Sequence, residues 1–256
     1  MPPLAQNGFL HAGRLPNIGA MSDPSITKFD HSRAQEYATQ SRIALAGYDA
    51  CHELAACLLA AHLGAGAKRV LIGGAGGTGQ EVLSMAALAP DWQFVAVDPA
   101  QTMLEPALQR IAEAGFADRV TPVVGTLDAL ATDEPFDAAT LIGVLHHLPL
   151  QQAKQDILRA VAERLAPGAP FILACNRCAY ESQPLFLAAW AQRWRMAGAS
   201  DAEVEAKLGK IRQGAVPPAS EAEVDSLLQD AGFHTPTRFF SSLFWSAWIA
   251  FRNPQD

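Results

Sequence analysis

Residues 70–81, VLIGGAGGTGQE, place five glycines within twelve positions directly after an apolar run. Glycine turns tightly with positive φ and lets backbone approach a ligand closely. A helix starting just after such a turn offers its N-terminus to a bound group. A tight strand-to-helix turn that holds nothing would look the same. A second position narrows the choice. The stretch FVAVDPA carries Asp98, 19 residues beyond Gly79. A carboxylate at that distance accepts ribose hydroxyls and disfavours a 2′-phosphate, although it also suits the cap of the next helix. Further along, LIGVLHHLP offers His146 and His147. Histidine is the commonest general base for taking a proton from an oxygen or nitrogen nucleophile, and the same pair can equally be packing at a helix start.

These residues need strands and helices to position them. KRVLIGG reads as a short buried strand, followed by the helix GQEVLSMAALA. QFVAVD, VTPVVG, FDAATLIGV and PFILAC read as further strands, separated by AQTMLEPALQRIAEAG, with Pro106 as a kink point, and by LQQAKQDILRAVAERLA. Such alternation implies right-handed crossovers and a mainly parallel sheet. Ligands bind at the carboxyl ends of its strands. Upstream, residues 29–64 carry helical spacing with Gly47 as a break. Downstream come three helices, two with Ser200 and Ser220 as N-caps and Gly232 as a stop. The aromatic TRFFSSLFWSAWIAFR then reads as two strands, suited to an antiparallel edge.

Composition bounds the partners. The 256 residues carry a formal net charge of -7, with 50% hydrophobic and 18% charged residues. The acidity argues against nucleic acid as substrate, although Arg193, Arg195, Lys207, Lys210 and Arg212 form a local basic group. No apolar run is long enough to span a membrane, and the first residues lack the apolar core of a signal peptide. Cys175 and Cys178 form a lone C-x-x-C, and Cys51 and Cys57 are ill-spaced to complete a zinc site, so the thiols read as reduced and the protein as cytoplasmic. A homodimer is left open.

The succession from the glycine turn through Asp98, VVGTLDAL, FDAATLIGVLHHLP and LAPGAPFILA resembles the class I S-adenosylmethionine (SAM)-dependent methyltransferase superfamily over about residues 67–175. The resemblance implies a Rossmann-like α/β fold: a mainly parallel seven-stranded sheet, helices on both faces, an antiparallel C-terminal edge and a helical lid. The implied organisation is a flexible tail (1–25), an N-terminal helical lid (26–66), a SAM-binding core (67–180), a helical lid insertion (181–219), and a last helix with two strands (220–256). The acid usual near the glycine turn is replaced by Ile72 and Gly73, and Gly76-Gly77 lengthen the turn by one residue. Glu81 is the substitute acid, and Thr126 with Leu127 stands where an adenine-binding Asp is usual. The cofactor set is then Gly74, Ala75, Gly76, Gly79, Glu81, Asp98, Pro99, Met103, Thr126, Leu127 and Gly143. From Phe29 to Phe251 the layout is closest to the carboxy-SAM synthase branch; Tyr48 in AGY matches its PGY tyrosine, while Gly209 stands at its carboxylate-clamping arginine.

Methyl transfer is an in-line displacement for which the protein supplies position and electrostatics. The candidate catalytic residues are His147, His146, Tyr180 and Tyr48. Tyr37, Arg42, Asn176, Arg177 and Trp245 are candidates for substrate contact; aromatic faces suit a sulfonium, and Arg177 suits a carboxylate. No metal is expected. Three other readings stay open: an enzyme that alters SAM itself by carboxylation or cyclisation, a degenerate SAM-binding module, and an NAD-dependent dehydrogenase.

Overall fold

The alternation of strands and helices folds as a seven-stranded sheet in the order β3-β2-β1-β4-β5-β7-β6. The structure, a computed structural model, describes residues 31–132 and 134–254, with side chains from residue 37 onward. The expected tail (1–25) and the first positions of the expected N-terminal lid lie outside the described residues. The strands are β1 (Arg69–Gly73), β2 (Gln93–Asp98), β3 (Val120–Val124), β4 (Ala138–Ile142), β5 (Pro170–Asn176), β6 (Phe233–Ser242) and β7 (Trp245–Arg252). The first five run parallel; β7 pairs antiparallel with β5, and β6 with β7.

Burial explains the strand compositions. β4 and β5 are covered on both faces and every residue in them is buried, which is why AATLI and PFILACN lack polar alternation. At the edges, Pro122 sits in half-exposed β3, and β6 breaks its register on either side of Thr237. Prolines and bulges belong at edges because they cannot template a further strand.

The helices are α1 (His31–Ala44), α2 (Tyr48–Leu63), α3 (Gln80–Leu88), α4 (Gln101–Glu113), α5 (Gln151–Arg164), α6 (Pro184–Met196), α7 (Asp201–Gly214) and α8 (Glu221–Asp230). Strand alternation divides the core between the faces. Val70 and Ile72 pack with Leu59, Val82 and Phe94, whereas Leu71 packs with Leu141, Leu158, Phe171 and Val224. Fully burying a ring such as Phe171 contributes roughly 1.5–3 kcal/mol. α4 continues through Pro106.

The remaining helices form a roof. A separate apolar cluster joins Tyr180, Trp190, Ala215 and Phe244, and another joins Trp194 to Val204. α6 is fastened to the end of α1: Trp190 Nε1 donates to the Ala44 carbonyl at 2.7 Å, and Arg193 donates to the carbonyls of Arg42 and Ile43. α7 opens with a capping box between Ser200 and Glu203.

Candidate functional site

The strand order reverses between β1 and β4, and the cleft lies at their carboxyl ends. Gly74 follows β1 and Gly143 follows β4, with φ of +68° and +83°. Two cavities of about 590 and 580 Å³ share Tyr37, Gly74, Gly76, Ile142, Gly143 and His147 in their walls, so they are lobes of one site.

The glycine loop is held by its own backbone. The amides of Gly74 and Ala75 both donate to the Val97 carbonyl, at 2.9 and 3.1 Å. Gly76 N donates to Asp98 Oδ2 at 2.9 Å, and Gly77 N to the Met103 carbonyl at 2.8 Å. A Cβ on Gly76 would stand 2.7 Å from Asp98 Oδ2, and one on Gly77, where φ is +99°, would stand 2.5 Å from the Tyr37 ring. The extra glycine therefore has a physical reason: the chain passes under Tyr37 in a conformation that other residues rarely adopt.

The first lobe is lined by Asp98, Pro99 and Met103 after β2, by Gly125, Thr126, Leu127 and Asp128 after β3, and by Val144 after β4. Asp98 is buried, and its Oδ1 also accepts from Ala100 N at 2.8 Å. The carboxylate thus staples the glycine loop to the start of α4 at the lobe's wall. Burial raises its pKa, and the two amides oppose that.

The second lobe lies between the glycine loop and the roof. Glu81, in the first turn of α3, lines it and is half-buried. Thr140 Oγ1 donates to Glu81 Oε1 at 2.5 Å. Desolvation, with a smaller push from Asp98, moves the Glu81 carboxyl up from 4.5 to about 8. Tyr48 OH meets Thr78 Oγ1 at 2.6 Å, and burial raises that phenol to about 12. Tyr37 is raised as well, mainly by burial. His146 and His147 stand with ring centroids 4.4 Å apart, in a 3-10 turn after β4. Burial, then His147 and Lys154, lowers the His146 pKa well below its usual value, so His146 is neutral at neutral pH. Its Nδ1 has no protein partner, and its ring meets Trp245 edge-on at 5.0 Å. Asn176, at the end of β5, donates to Tyr180 OH at 2.6 Å, and its Oδ1 has no protein partner.

Most of the residues expected at a site come together: Gly74, Gly76, Asp98, Pro99, Met103, Thr126, Leu127 and Gly143 in the first lobe, and Tyr37, Tyr48, Gly79, Glu81, His146, His147, Asn176, Tyr180 and Trp245 in the second. Three lie elsewhere. Ala75 lines neither lobe, because the turn directs its amide at Val97. Arg42 lines neither; it pairs with Asp49 at 2.6 Å and stacks over Tyr48. Arg177 lines neither; it is held by Glu221 and the Leu243 carbonyl. Sequence reasoning missed Asp128, although the acid in TLDAL was the available signal. It also missed His52, Thr78, Trp190 and Trp194 of the second lobe. His52 is buried beside Tyr48 with neither ring nitrogen partnered, and burial lowers its pKa to about 4.

Comparison with known proteins bears on the fold that carries this cleft. Residues 73–171 match the family model described as a methyltransferase domain. An uncharacterized Synechococcus protein is 34% identical over 104 residues, which cover 40% of this chain and 24% of the relative, so the chain spans about a quarter of that protein's length. The 1,6-didemethyltoxoflavin-N1-methyltransferase of Burkholderia thailandensis, solved with bound 1,6-didemethyltoxoflavin and S-adenosylhomocysteine, superposes with a TM-score of 0.60 at 19% identity, covering 93% of this chain and 94% of that one. The N-methyltransferase NodS of Bradyrhizobium japonicum, in complex with S-adenosylhomocysteine, gives 0.53 at 17% identity over 79% and 86% of the two chains. A candidate O-methyltransferase of Nostoc punctiforme gives 0.62 at 18% identity, covering 86% of this chain and 59% of that one. The sheet and its helices share the Rossmann-like α/β fold of these methyltransferase structures, and residues 73–171 match a methyltransferase domain model.

Proposed function

We propose that the protein is a transferase that binds SAM and passes its methyl group to an oxygen or nitrogen of a small-molecule acceptor. The observation that carries this reading is the chemistry of the glycine loop. A dinucleotide needs free loop amides for its pyrophosphate. Here the amides of Gly74, Ala75, Gly76 and Gly77 are already bonded within the protein, and the following helix begins beside a half-buried acid, Glu81. That arrangement leaves those four amides no donor for a phosphate and suits a nucleoside without phosphate that ends in an ammonium group.

In this reading Asp98 accepts from the ribose while keeping the loop amides, and Pro99, Met103, Thr126, Leu127 and Asp128 surround the adenine. Thr78, Gly79 and Glu81 take the amino acid end. SAM supplies an electrophilic methyl on a sulfonium, which leaves with the C–S electron pair remaining on sulfur. The aromatic faces of Tyr37 and Trp245 favour positive charge where the lobes meet. His146, held neutral by burial, can accept a hydrogen bond from the acceptor, and His147 beside it shares the wall. The roof excludes water from the reacting groups. The products are the methylated acceptor, S-adenosylhomocysteine and one proton.

Calorimetric titration with SAM, S-adenosylhomocysteine and NAD, followed by mass analysis of the SAM, tests this. Micromolar binding of the two adenosyl ligands, without NAD binding, is the expected result. Failure of both to bind overturns it. The likeness to carboxy-SAM synthases makes alteration of SAM itself the rival outcome, and a heavier SAM or methylthioadenosine would reveal it.

A further inference from the structure

The second lobe contains recognition chemistry that methyl transfer itself does not require. Trp190 and Trp194 stand one turn apart on α6, and both line it. Lys207 and Lys210 line it from one face of α7, and Lys207 Nζ lies 4.7 Å from the Trp194 ring centroid. Among the described residues neither lysine is within ion-pair distance of a carboxylate. On α7 itself, Asp201 pairs with Arg195, and Glu203 bonds the Ser200 cap while also feeling the charge of Lys207. Two lysines without a direct carboxylate contact thus flank a cleft in a chain of net charge -7.

Buried polar atoms in the same wall also lack partners. Trp194 is 4% exposed and Asn176 2%, yet Trp194 Nε1 and Asn176 Oδ1 meet no protein group. Unsatisfied buried polar atoms favour a ligand that supplies what they lack. A flat ring suits indole walls, which gain from offset or edge-on contact. A carboxylate suits a lysine pair, because a hydrogen bond between two charged groups is roughly twice as strong as a neutral one. A cationic amine would be repelled by the same pair.

We propose that the acceptor is an aromatic acid, its ring against Trp194 and Trp190 and its carboxylate held by Lys207 and Lys210. This rests on the methyltransferase reading of the site and names the substrate class that the second lobe takes.

The test is calorimetric binding to the full chain saturated with S-adenosylhomocysteine. The probes are 2-hydroxybenzoate, 4-hydroxybenzoate and 1-hydroxy-2-naphthoate, each beside its methyl ester. At least one acid should bind about tenfold or more tightly than its ester, and the preference should shrink as salt is raised. The Lys207→Ala/Lys210→Ala protein should lose the preference while keeping its affinity for S-adenosylhomocysteine, and the Lys207→Arg/Lys210→Arg protein should recover most of it. Equal binding of acids and esters, binding of no probe, or a preference that survives the double alanine change overturns the proposal. Failure of S-adenosylhomocysteine itself to bind is a separate result, and it counts against the methyltransferase reading.

Discussion

Glu81 should couple cofactor binding to proton release. Its carboxyl is buried and raised to about 8, so at pH 7 about nine in ten empty sites hold it neutral. An ammonium group beside it favours the charged form, so binding expels the proton. Ionising Glu81 at pH 7 costs about 1.4 kcal/mol, and at pH 6 about twice that. SAM affinity should therefore rise about tenfold from pH 6 to 7. It should level off near pH 8, where an α-amino group begins to lose its own proton. Calorimetry at pH 7 in buffers of different ionisation enthalpy should count about 0.9 proton released per SAM. Glu81→Gln should bind more weakly, release close to none, and show a flat affinity from pH 6 to 7.5. The empty protein gives an independent check. Because the folded value lies above the unfolded 4.5, this group's stabilisation is full below pH 4.5 and is lost as pH rises towards 8, on the order of 5 kcal/mol in all. Glu81→Gln should flatten that limb of the stability curve. Proton release below about 0.2, or a pH slope retained in Glu81→Gln, refutes the coupling.

Other changes test neighbouring parts of the structure. Asp98→Ala removes the acceptor for the Gly76 and Ala100 amides as well as the ribose contact; SAM affinity should fall at least 100-fold, and the melting temperature should fall with it, as calorimetry and thermal unfolding would show. Gly77→Ala forces a Cβ against the Tyr37 ring at positive φ, and should cost about 1–3 kcal/mol in denaturant unfolding together with most SAM binding. Ser200→Ala breaks the capping box of α7, and should cost about 1 kcal/mol with S-adenosylhomocysteine affinity unchanged.

The sequence displays the features that repeat locally. Strand and helix periods, the positive-φ glycines at Gly74, Gly143 and Gly232, and the serine caps at Ser200 and Ser220 are each decided within a few residues. What it conceals depends on distant approach. Thr140 meets Glu81 across 59 positions, and no local pattern marks that pair. Arg177 reads as a ligand contact because an arginine just after a strand suits an anion, and Arg42 reads as a further substrate contact, whereas each finds a carboxylate of the fold first: Asp49 seven residues on, and Glu221 after 44. Trp190 and Trp194 are marked by no motif in the sequence; their place in the second lobe's wall follows from how α6 docks on α1.

That docking also bears on the order in which the chain takes shape. The last carbonyls of α1, from Arg42 to Ala44, accept from side chains about 150 residues downstream. During synthesis α1 waits with that end unsatisfied until Arg193 has emerged, long after the first parallel strands can pair. Contacts so far apart in sequence are slow to close. The second lobe is thus complete only after α6 and β7, which carries Trp245, have both been made.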